Sequence, residues 1–522
     1  MTELLTAAQM RALENAAIKS GEVTGLELME RAGRGVVEAI LEEWPEMALT
    51  AQKAVVLCGP GNNGGDGFVV ARLLKQRGWE VAVFLYGEVE KLPPDAKVNA
   101  ERWLEMGEIG TYTATALGDL AEDQAFLLNP CLLIDAMFGT GLARALDGSL
   151  HLHESLYTFS TEVLEARRVA IDLPSGLCAD SGRYLGNKAG SEFGEGRFEF
   201  ELTVSFHSEK CGHRLAEGPR FCGKTVVADI GIERVQNLHN TFVRFAYLYA
   251  PSIQKLEVAH KFSHGHALIL SGPAGRTGAA RLAARGALRI GAGVVSVACP
   301  QEAMAENAAQ LTAIMLSPVE DADALHAVLQ DERINALCLG PALGHDFRAR
   351  ELVATALASG RPLVLDADAI SQELIGHLHK NVVLTPHAGE FKRMFPDIMA
   401  KLEAPAITGP AYSKLDATRE AAKRAGCTVL FKGADTVIAD ETGRAAINSA
   451  VYERAAPWLA TAGAGDVLAG FITGLLARGF APMQAAETAA WLHVECALKF
   501  GPGLIAEDIP EQLPAVFRGL SL

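Results

Sequence analysis

The sequence predicts an α/β protein with two domains, each built from a mostly parallel sheet between layers of helices. The chain has 522 residues, which is enough for two to four domains. Short apolar runs, such as residues 54–57, are followed by glycine-rich turns and then by apolar residues at helical spacing, as in βαβ units. This alternation fills both halves and loosens between residues 233 and 258, so we expect domains at 1–235 and 259–522 and a linker at 236–258.

The composition and charge exclude several classes of function. The net charge of −16 argues against a surface for nucleic acid or an anionic membrane, although a local loop can still bind a nucleotide. No run of about 18 uncharged apolar residues is present, and the first residues lack the basic region and apolar core of a signal peptide. The nine cysteines are scattered without a CxxC pair, which favours reduced thiols over disulfides or zinc. We therefore expect a cytoplasmic protein without a nucleic-acid or membrane partner.

The first half opens with two predicted helices. Residues 6–9 and 24–27 have the pattern of capping boxes, which start helices, and the second is followed by apolar residues at helical spacing to residue 40. Further along, strands are expected at 54–57, 80–85, 132–135, 169–172 and 225–232, and residues 91–95 are expected to form a charged loop.

The most specific motif is the loop at residues 58–67, of sequence CGPGNNGGDG. A glycine-rich turn between a strand and a helix aims backbone N–H groups and the positive helix end at an anion, usually a phosphate. Asn62 and Asn63 add amide oxygens that can bind a cation or a ligand, and Asp66 places a carboxylate where a phosphate would otherwise lie. The alternative is a tight turn with helix caps.

Two more predicted strands end in carboxylates. Asp135 precedes a Gly139-Thr140-Gly141 turn, and Asp172 precedes Ser175. Ligands of parallel α/β sheets bind beyond the carboxyl ends of the strands, so these loops are expected to converge with the glycine loop. Oxygen ligands without Cys or His suit a group-1 or group-2 cation.

The second half repeats the pattern of strand, loop and helix. Strands are predicted at 267–271, 294–298, 336–339, 362–365, 381–384 and 428–431. The segment at residues 460–470 places glycines at the start of a helix that carries Asp466. It resembles the anion hole and catalytic Asp of ribokinase-like kinases, where helix N-terminal amides hold a transferring phosphoryl group and the Asp takes a proton from the attacking hydroxyl.

Together these motifs resemble a known family over nearly the whole chain. GPGNNGGDG is similar to the signature of NAD(P)H-hydrate epimerases, and His260-Lys261, the TPHAGEF segment at 385–391 and KGADT at 432–436 are similar to NAD(P)H-hydrate dehydratases. The resemblance implies a bifunctional repair enzyme for hydrated NADH and NADPH (NADHX and NADPHX), with a Rossmann-like αβα domain followed by a ribokinase-like αβα domain. It also implies that a homo-oligomer is a common state.

For the first domain, the resemblance implies epimerisation of the R and S forms. Asp172 is the expected catalytic proton handler, and Asn63, Asp135 and Ser175 the expected K⁺ ligands. Residues 202–210 are similar to a strand and loop of the family, and Lys210 is expected to be an exposed lysine, the alternative being a contact to a phosphate. The expected contacts to NAD(P)HX are Asn62, Asn63, Gly64, Gly65, Asp66, Gly139, Thr140, Gly141, Leu142, Ala143, Arg144, Ala145 and Asp172.

For the second domain, the resemblance implies ADP- or ATP-driven phosphorylation of the C6 hydroxyl of the S form, then phosphate elimination. Asp466 is the expected catalytic residue, Glu390 a candidate Mg²⁺ ligand, and the remaining NAD(P)HX contacts are Ala279, Ala342 and His387. The expected nucleotide contacts are Lys432, Gly433, Ala434, Asp435, Thr436, Gly463 and Gly465.

Two departures from the family and one rival function remain open at this point. The family usually has glycine where this chain has Ala342 and Ala462, and alanine disfavours a positive φ. The alternative function is a ribokinase-like kinase of a vitamin-precursor alcohol whose first domain binds dinucleotides without turnover. That alternative explains residues 463–466 and leaves the glycine loop unexplained.

Overall fold

The computed structural model describes residues 3–113, 115, 131–146, 156, 166–186, 199–233, 243–249, 253–255 and 259–522. The chain forms two compact units. The first contains Thr2–Leu238 together with Ala404–Ser413, and the second contains His239–Glu403 and Lys414–Leu522. The predicted α/β class, with two domains on mostly parallel sheets, is confirmed. Among the described residues, no helix combines the length and apolarity needed to cross a membrane.

The first unit begins with the two helices that the capping boxes predict. Both boxes are formed, with the Thr6 hydroxyl accepting from the Gln9 N–H and the Thr24 hydroxyl from the Glu27 N–H. The described elements are β1 (Glu3–Leu4), α1 (Ala7–Ser20), α2 (Gly25–Glu43), β2 (Lys53–Cys58), α3 (Asn62–Gln76), β3 (Glu80–Leu85), α4 (Pro94–Leu104), β4 (Ile109–Thr111), β5 (Cys131–Ala136), β6 (Arg167–Ile171), β7 (Leu202–Phe206), α5 (Gly218–Cys222) and β8 (Lys224–Ala228).

The sheet of this unit is parallel and has the order β4-β3-β2-β5-β6-β7-β8. The chain first winds outward from β2 to β4 and then returns to place β5 on the other side of β2. The loops after β2 and β5 therefore leave the sheet in opposite directions, and the crevice between them is where such sheets bind ligands. Cys58 pairs with Ala136 in register, so both loops start at the same level.

Two sequence predictions in this unit were wrong in detail. Residues 91–95 do not form only a loop, because α4 begins at Pro94. A proline at the first helical position loses no hydrogen bond, which explains why this proline-containing stretch can be helical. The last strand ends at Ala228 and not at Ile232, because Asp229 accepts a hydrogen bond from the Gly231 N–H and turns the chain.

The second unit contains β9 (Val243–Phe245), β10 (His266–Leu270), α6 (Gly278–Arg289), β11 (Val294–Cys299), α7 (Met304–Ala308), β12 (Met315–Pro318), α8 (Ala322–Val328), β13 (Ile334–Leu339), α9 (Phe347–Ala358), β14 (Leu363–Leu365), β15 (Val382–Leu384), α10 (Ala388–Met394), α11 (Pro396–Glu403), α12 (Lys414–Ala425), β16 (Thr428–Phe431), β17 (Asp435–Ala439), β18 (Ala445–Ser449), α13 (Ala464–Ala477), α14 (Pro482–Phe500) and α15 (Asp508–Gly519). Part of the predicted linker, 236–258, lies outside the described residues, and the described part includes β9, which pairs with β18.

The strands of this unit follow the order β9-β18-β17-β16-β15-β14-β13-β10-β11-β12, and only the β16–β17 and β17–β18 pairs are antiparallel. The winding direction reverses between β10 and β13, so a second ligand crevice is expected there. The helices α6, α13 and α14 cover one face, and their alanine-rich and leucine-rich sides form the main core with Val295, Ile269 and Cys338 of the sheet.

Candidate active sites

A cavity of about 490 Å³ opens where the loops after β2, β5 and β6 meet in the first unit. Helices α1 and α2 complete its wall with residues such as Arg11, Glu14 and Met29. Of the predicted NAD(P)HX contacts, the structure places eight on the cavity wall: Asn62, Asn63, Asp66, Gly139, Thr140, Gly141, Leu142 and Asp172. Gly64 and Gly65 are buried within the first turn of α3.

The glycines of the first loop allow three backbone segments, those of Gly59, Gly64 and Met137, to approach each other closely. A Cβ atom on Gly59 would lie 1.7 Å from the carbonyl oxygen of Met137, and one on Gly64 would lie 2.0 Å from the carbonyl oxygen of Gly59. Any larger residue would push the loop after β2 away from the loop after β5. The Asn63 side chain lies against Gly139, where a Cβ would be 2.8 Å from the Asn63 Oδ1 and 2.8 Å from the Asp172 Oδ2.

Asp172 lies directly after β6 and is held from several sides. Its Oδ2 accepts a hydrogen bond from the Thr140 N–H at 2.8 Å, and its Oδ1 lies 3.0 Å from the Lys210 Nζ. Its own φ is +64°, a left-handed conformation that is strained for a residue with a side chain. Burial opposes ionisation of Asp172, but the Lys210 ammonium and the Thr140 N–H together hold its pKa below the usual value. The site therefore contains an ionised carboxylate at neutral pH.

The expectation that Lys210 is exposed was wrong. Its side chain is 1% exposed, and its ammonium also donates to the Ser205 hydroxyl and to the Phe206 and Ser208 carbonyl oxygens. A lysine can be buried when its charge is paired and its protons are bonded, which Asp172 and these oxygens achieve. Asp172 directly follows β6 and Lys210 lies four residues after the end of β7, so the pair joins the ends of two strands that are far apart in the sequence.

Two other carboxyl groups near Asp172 are in a different electrostatic state. Burial raises the pKa of Asp66 well above its usual value, and the negative charges of Asp172 and Glu14 raise it further. Burial likewise raises the pKa of Glu14. The cavity therefore combines Asp172, whose pKa is lowered, with two carboxyl groups whose pKa values are raised, a pattern typical of paired bases and acids. Neither Glu14 nor Arg11, both on α1, was singled out in the sequence.

The three predicted cation ligands lie around the loop after β5. The Ser175 hydroxyl donates to the Asp135 Oδ1 at 2.7 Å and lies 3.4 Å from the Phe138 carbonyl oxygen, while the Ser175 N–H donates to the Asp135 Oδ2. Burial raises the pKa of Asp135, which Ser175 and the Met137 N–H partly oppose. The Nδ2 atom of Asn63 is buried and finds no hydrogen-bond partner among the described residues.

The remaining predicted contacts, Ala143 to Ala145, do not line the cavity. They run alongside residues 407–409, with the Ala145 N–H donating to the Ile407 carbonyl oxygen at 3.2 Å and the Gly409 N–H to the Ala143 carbonyl oxygen at 3.0 Å. Arg144 and Thr408 form the antiparallel bridge between the two segments.

In the second unit, Lys432 is the centre of a charged cluster at the carboxyl ends of β14, β15 and β16. Its Nζ lies 2.7 Å from the Asp366 Oδ1 and 3.7 Å from the Glu390 Oε2. Burial lowers the affinity of Lys432 for its proton, but the Asp366 and Glu390 charges prevail and hold its pKa above the usual value. The same Asp366 Oδ1 also accepts from the Thr385 hydroxyl at 2.7 Å.

His387 and Glu390 form the start of α10. The Glu390 carboxylate accepts from the His387 N–H at 2.8 Å and lies 3.1 Å from the His387 Nε2, and the His387 Nδ1 accepts from the Gly389 N–H. His387 is half exposed and Glu390 is buried. Within the described part of the chain, no group of three or more His, Cys, Asp or Glu side chains is arranged to hold a metal ion.

Asp466 lies in the first turn of α13, beside the same cluster. Gly463, with φ of +87°, precedes the helix, and a Cβ on Gly465 would lie 3.5 Å from the Lys432 Nζ. Burial raises the pKa of Asp466 to about 7, and the negative charge of Asp366 contributes to this against the opposing charge of Lys432. A carboxyl group with this pKa can exchange a proton near neutral pH.

The two alanines of the predicted dehydratase contacts lie at the reversal of the winding direction. Ala279 is in the first turn of α6 after β10, and Ala342 is in the loop after β13. Ala342 has φ of +54°, which confirms that the departure from glycine falls on a left-handed position. Its carbonyl oxygen lies 2.0 Å from where a Cβ of Gly272 would be, so the two loops meet.

The predicted nucleotide-binding segment, Lys432 to Thr436, forms a tight turn between β16 and β17. The Thr436 hydroxyl donates to the Gly433 carbonyl oxygen at 2.7 Å, and the Asp435 carboxylate pairs with the Lys414 Nζ at 2.6 Å. A Cβ on Gly433 would lie 2.5 Å from that Nζ. Ala434 is exposed at the tip of the turn.

Two family models match this chain, one in each half of the sequence. Residues 267–510 match the family described as NAD(P)H-hydrate dehydratase, and residues 25–212 match the family described as YjeF-related protein N-terminus.

Individual relatives match the whole chain or one half of it. The bifunctional NAD(P)H-hydrate repair enzyme of Moorella thermoacetica is 34% identical over 99% of this chain and 97% of its own length. The NAD(P)H-hydrate epimerase of Rhodobacter capsulatus is 47% identical over 41% of this chain and 92% of its own length. Among solved structures, the ADP/ATP-dependent NAD(P)H-hydrate dehydratase of Bacillus subtilis with ATP and Mg²⁺ is 26% identical, with a TM-score of 0.46, over 53% of this chain and 98% of that one.

Proposed function

Because the chain belongs to the family of bifunctional NAD(P)H-hydrate repair enzymes, we propose that it returns both epimers of NADHX and NADPHX to NADH and NADPH. The first unit interconverts the R and S forms, and the second dehydrates the S form at the expense of ADP or ATP. The observation that supports this proposal best is the pair of separate sites, one with Asp172, whose pKa is lowered, and one with Asp466, whose pKa is raised to about 7.

In the first unit, Asp172 is the catalytic residue. Its carboxylate is ionised and faces a cavity whose other acids, Asp66 and Glu14, have raised pKa values. Epimerisation at C6 requires loss and return of the hydroxyl group or ring opening, and both require a proton to move. Asp172 accepts this proton, while Lys210 and Thr140 fix its position and its charge. Asn62, Asn63 and residues 139–142 bind the substrate.

The oxygen atoms of Asn63, Asp135 and Ser175, with the Phe138 carbonyl oxygen, suit a K⁺ ion. All four are hard oxygen ligands in a site without Cys or His. Bound there, K⁺ would supply positive charge next to the loop that holds Asp172.

In the second unit, Asp466 takes the proton from the C6 hydroxyl as the phosphoryl group is transferred to that oxygen. Phosphate is a better leaving group than hydroxide, so the C6–O bond breaks with loss of phosphate, a proton leaves the neighbouring C5, and the C5–C6 double bond of the dihydronicotinamide ring is restored. The N–H groups at the start of α13, near Gly463 and Gly465, and the Lys432 ammonium would stabilise the phosphoryl charge. Residues 432–436 bind ADP or ATP. The residues that lie toward NAD(P)HX are Ala279, Ala342 and His387. Glu390 contributes to binding Mg²⁺.

We also propose a cytoplasmic location and a homo-oligomeric state. The first is supported by the eight described cysteines, all of which are buried free thiols, as is usual in a reducing compartment. The second rests on the family resemblance alone and is tested by light scattering of the purified protein.

The test uses a mixed pool of R and S NADHX with K⁺, Mg²⁺ and either ADP or ATP, and follows the absorbance of the reduced nicotinamide. We expect the wild type to convert the whole pool and Asp466→Asn to convert none. Asp172→Asn should convert the S form and then proceed only at the spontaneous epimerisation rate. Each variant is the control for the other, since the two reactions are read separately.

A stable phosphorylated product without NADH would instead favour the vitamin-precursor kinase. An Asp172→Asn variant that still converts the whole pool at the wild-type rate would remove Asp172 from the mechanism of the first unit.

A further inference from the structure

The segment Ala404–Ser413, hereafter the strap, is the part of the fold that the two activities leave unexplained. In sequence it lies between α11 and α12 of the second unit, yet it belongs to the first compact unit. The sequence pattern did not predict this, since it placed the strap within the 259–522 domain. Ten residues that leave one unit and then return lose conformational entropy when their backbone is ordered. Contacts of the strap with the first unit must offset this loss.

The strap is fastened to the loop that leaves the first active site after β5. Its residues 407–409 pair with Ala143–Ala145 through the hydrogen bonds described above. Gly409 must be a glycine, since a Cβ there would lie 2.8 Å from the Leu142 carbonyl oxygen. Leu142 also packs beside a small apolar cluster of Cys178, Leu185, Ala406 and Ala411.

The strap also holds the loop that leaves the site after β6. The Gly186 N–H donates to the Ala406 carbonyl oxygen at 2.7 Å. The Arg183 guanidinium donates to the carbonyl oxygens of Ala404 and Tyr412, close to the two ends of the strap. One side chain thus closes the strap over residues 178–186, and that loop begins at Ser175, beside Asp135.

Both loops continue without interruption into the catalytic groups. Residues 139–142 line the cavity, and the Thr140 N–H donates to the Asp172 carboxylate only three residues before Ala143, which the strap holds. Loops of this kind carry function and are mobile unless they are fixed by other parts of the fold.

We propose that the strap is a positioning element of the first active site, which sets the affinity for R-NAD(P)HX by fixing residues 139–145 against Asp172. This inference rests on the proposed epimerase function. Ala143, Arg144 and Ala145 then act through the strap and not by touching the substrate. Arg183 and Gly409 are positioning residues for a reaction whose chemistry they do not take part in.

The test uses the full chain without ADP or ATP, so that the second unit cannot act, and separates R and S NADHX by chromatography. In Arg183→Ala and in Gly409→Ala, we expect the KM for epimerisation of the R form to rise about tenfold, with kcat nearly unchanged, since one or two hydrogen bonds of positioning are lost. Arg183→Lys, which keeps one donor, should fall between wild type and Arg183→Ala. Hydrogen exchange of residues 139–146 should become faster in both variants.

Two matched controls separate positioning from general damage. Ile407→Ala removes a side chain that is 64% exposed and keeps the backbone pairing, and Arg220→Ala removes an exposed arginine that pairs with Glu199. Both should keep the wild-type KM. Dehydration of S-NADHX with nucleotide should be unchanged in all variants.

An unchanged KM in both Arg183→Ala and Gly409→Ala overturns the proposal, and so does a parallel loss of S-NADHX dehydration, which would make the strap a general stabiliser. Failure of the wild type to epimerise at all would overturn the proposed function instead.

Discussion

Replacing Lys210 by Met should destabilise the first unit far more than replacing a surface lysine. The Lys210 and Asp172 side chains are 1% and 7% exposed, so solvent barely screens their interaction across 3.0 Å. Breaking a buried pair by removing one partner costs about 3–5 kcal/mol, because the other charge stays buried without compensation. Three further acceptors, on Ser205, Phe206 and Ser208, also lose their donor. We therefore expect at least about 3 kcal/mol at neutral pH.

The loss should depend on pH in a defined direction. In the wild type the pKa of Asp172 is lowered, so its contribution to stability is present above the pKa of the unfolded chain and is lost as the pH falls through the lower folded value. Without Lys210, burial is the main influence left and the pKa of Asp172 should rise above its usual value. Acid would then neutralise the unpaired carboxylate, so the variant should approach wild-type stability as the pH falls.

The assay is urea unfolding followed by tryptophan fluorescence, since Trp44, Trp79 and Trp103 are all buried in the first unit. Lys91→Met is the matched control, because Lys91 and Glu88 are mostly exposed and such pairs contribute about 0–1 kcal/mol. Adding Asp172→Asn to Lys210→Met should restore much of the loss. A loss below about 1 kcal/mol, or one that grows in acid, would refute the reasoning that the buried pair stabilises the site.

Three further outcomes are expected. Asp466→Asn should lower S-NADHX dehydration at least about 100-fold and leave epimerisation unchanged. In the wild type, kcat/KM for dehydration should rise as the pH rises through about 7, because the ionised base is the active form. A flat pH profile would contradict this. Ala342→Gly should stabilise the second unit by up to about 1 kcal/mol and so raise its urea midpoint, since the φ of Ala342 is +54°. A lower midpoint would argue against strain at this residue. Ser175→Ala, or exchange of K⁺ for a bulky organic cation, should slow epimerisation and spare dehydration; equal rates with and without K⁺ would exclude the ion site.

The parts of the fold that depend on local patterns could be read from the sequence. Strands β3 and β16 match their predicted bounds, because each is a short, nearly continuous apolar run. The capping boxes at Thr6 and Thr24 were equally readable, since each is a contact between residues three apart. The carboxyl ends of strands then indicated Asp135 and Asp172 without knowledge of their partners.

The features that depend on distant partners were not readable. Lys210 is buried only because a carboxylate 38 residues earlier in the chain lies beside it, and lysine by itself indicates an exposed position. Glu14 faces the cavity from a helix whose pattern predicts only amphipathic packing. The apolar residues of the strap show neither helical nor strand periodicity. The position of the strap is set by hydrogen bonds of its backbone to residues more than 200 positions away in the sequence.

The place of the strap also affects the order in which the protein is made. The ribosome releases Leu238 long before Ser413, and the 175 residues between them take about 10–35 s at the usual rate of about 5–20 residues per second. During that interval the sheet of the first unit can fold, but the loop beside its catalytic carboxylate has no strap to pair with. The first active site therefore reaches its full affinity for the substrate only when most of the second unit has been synthesised.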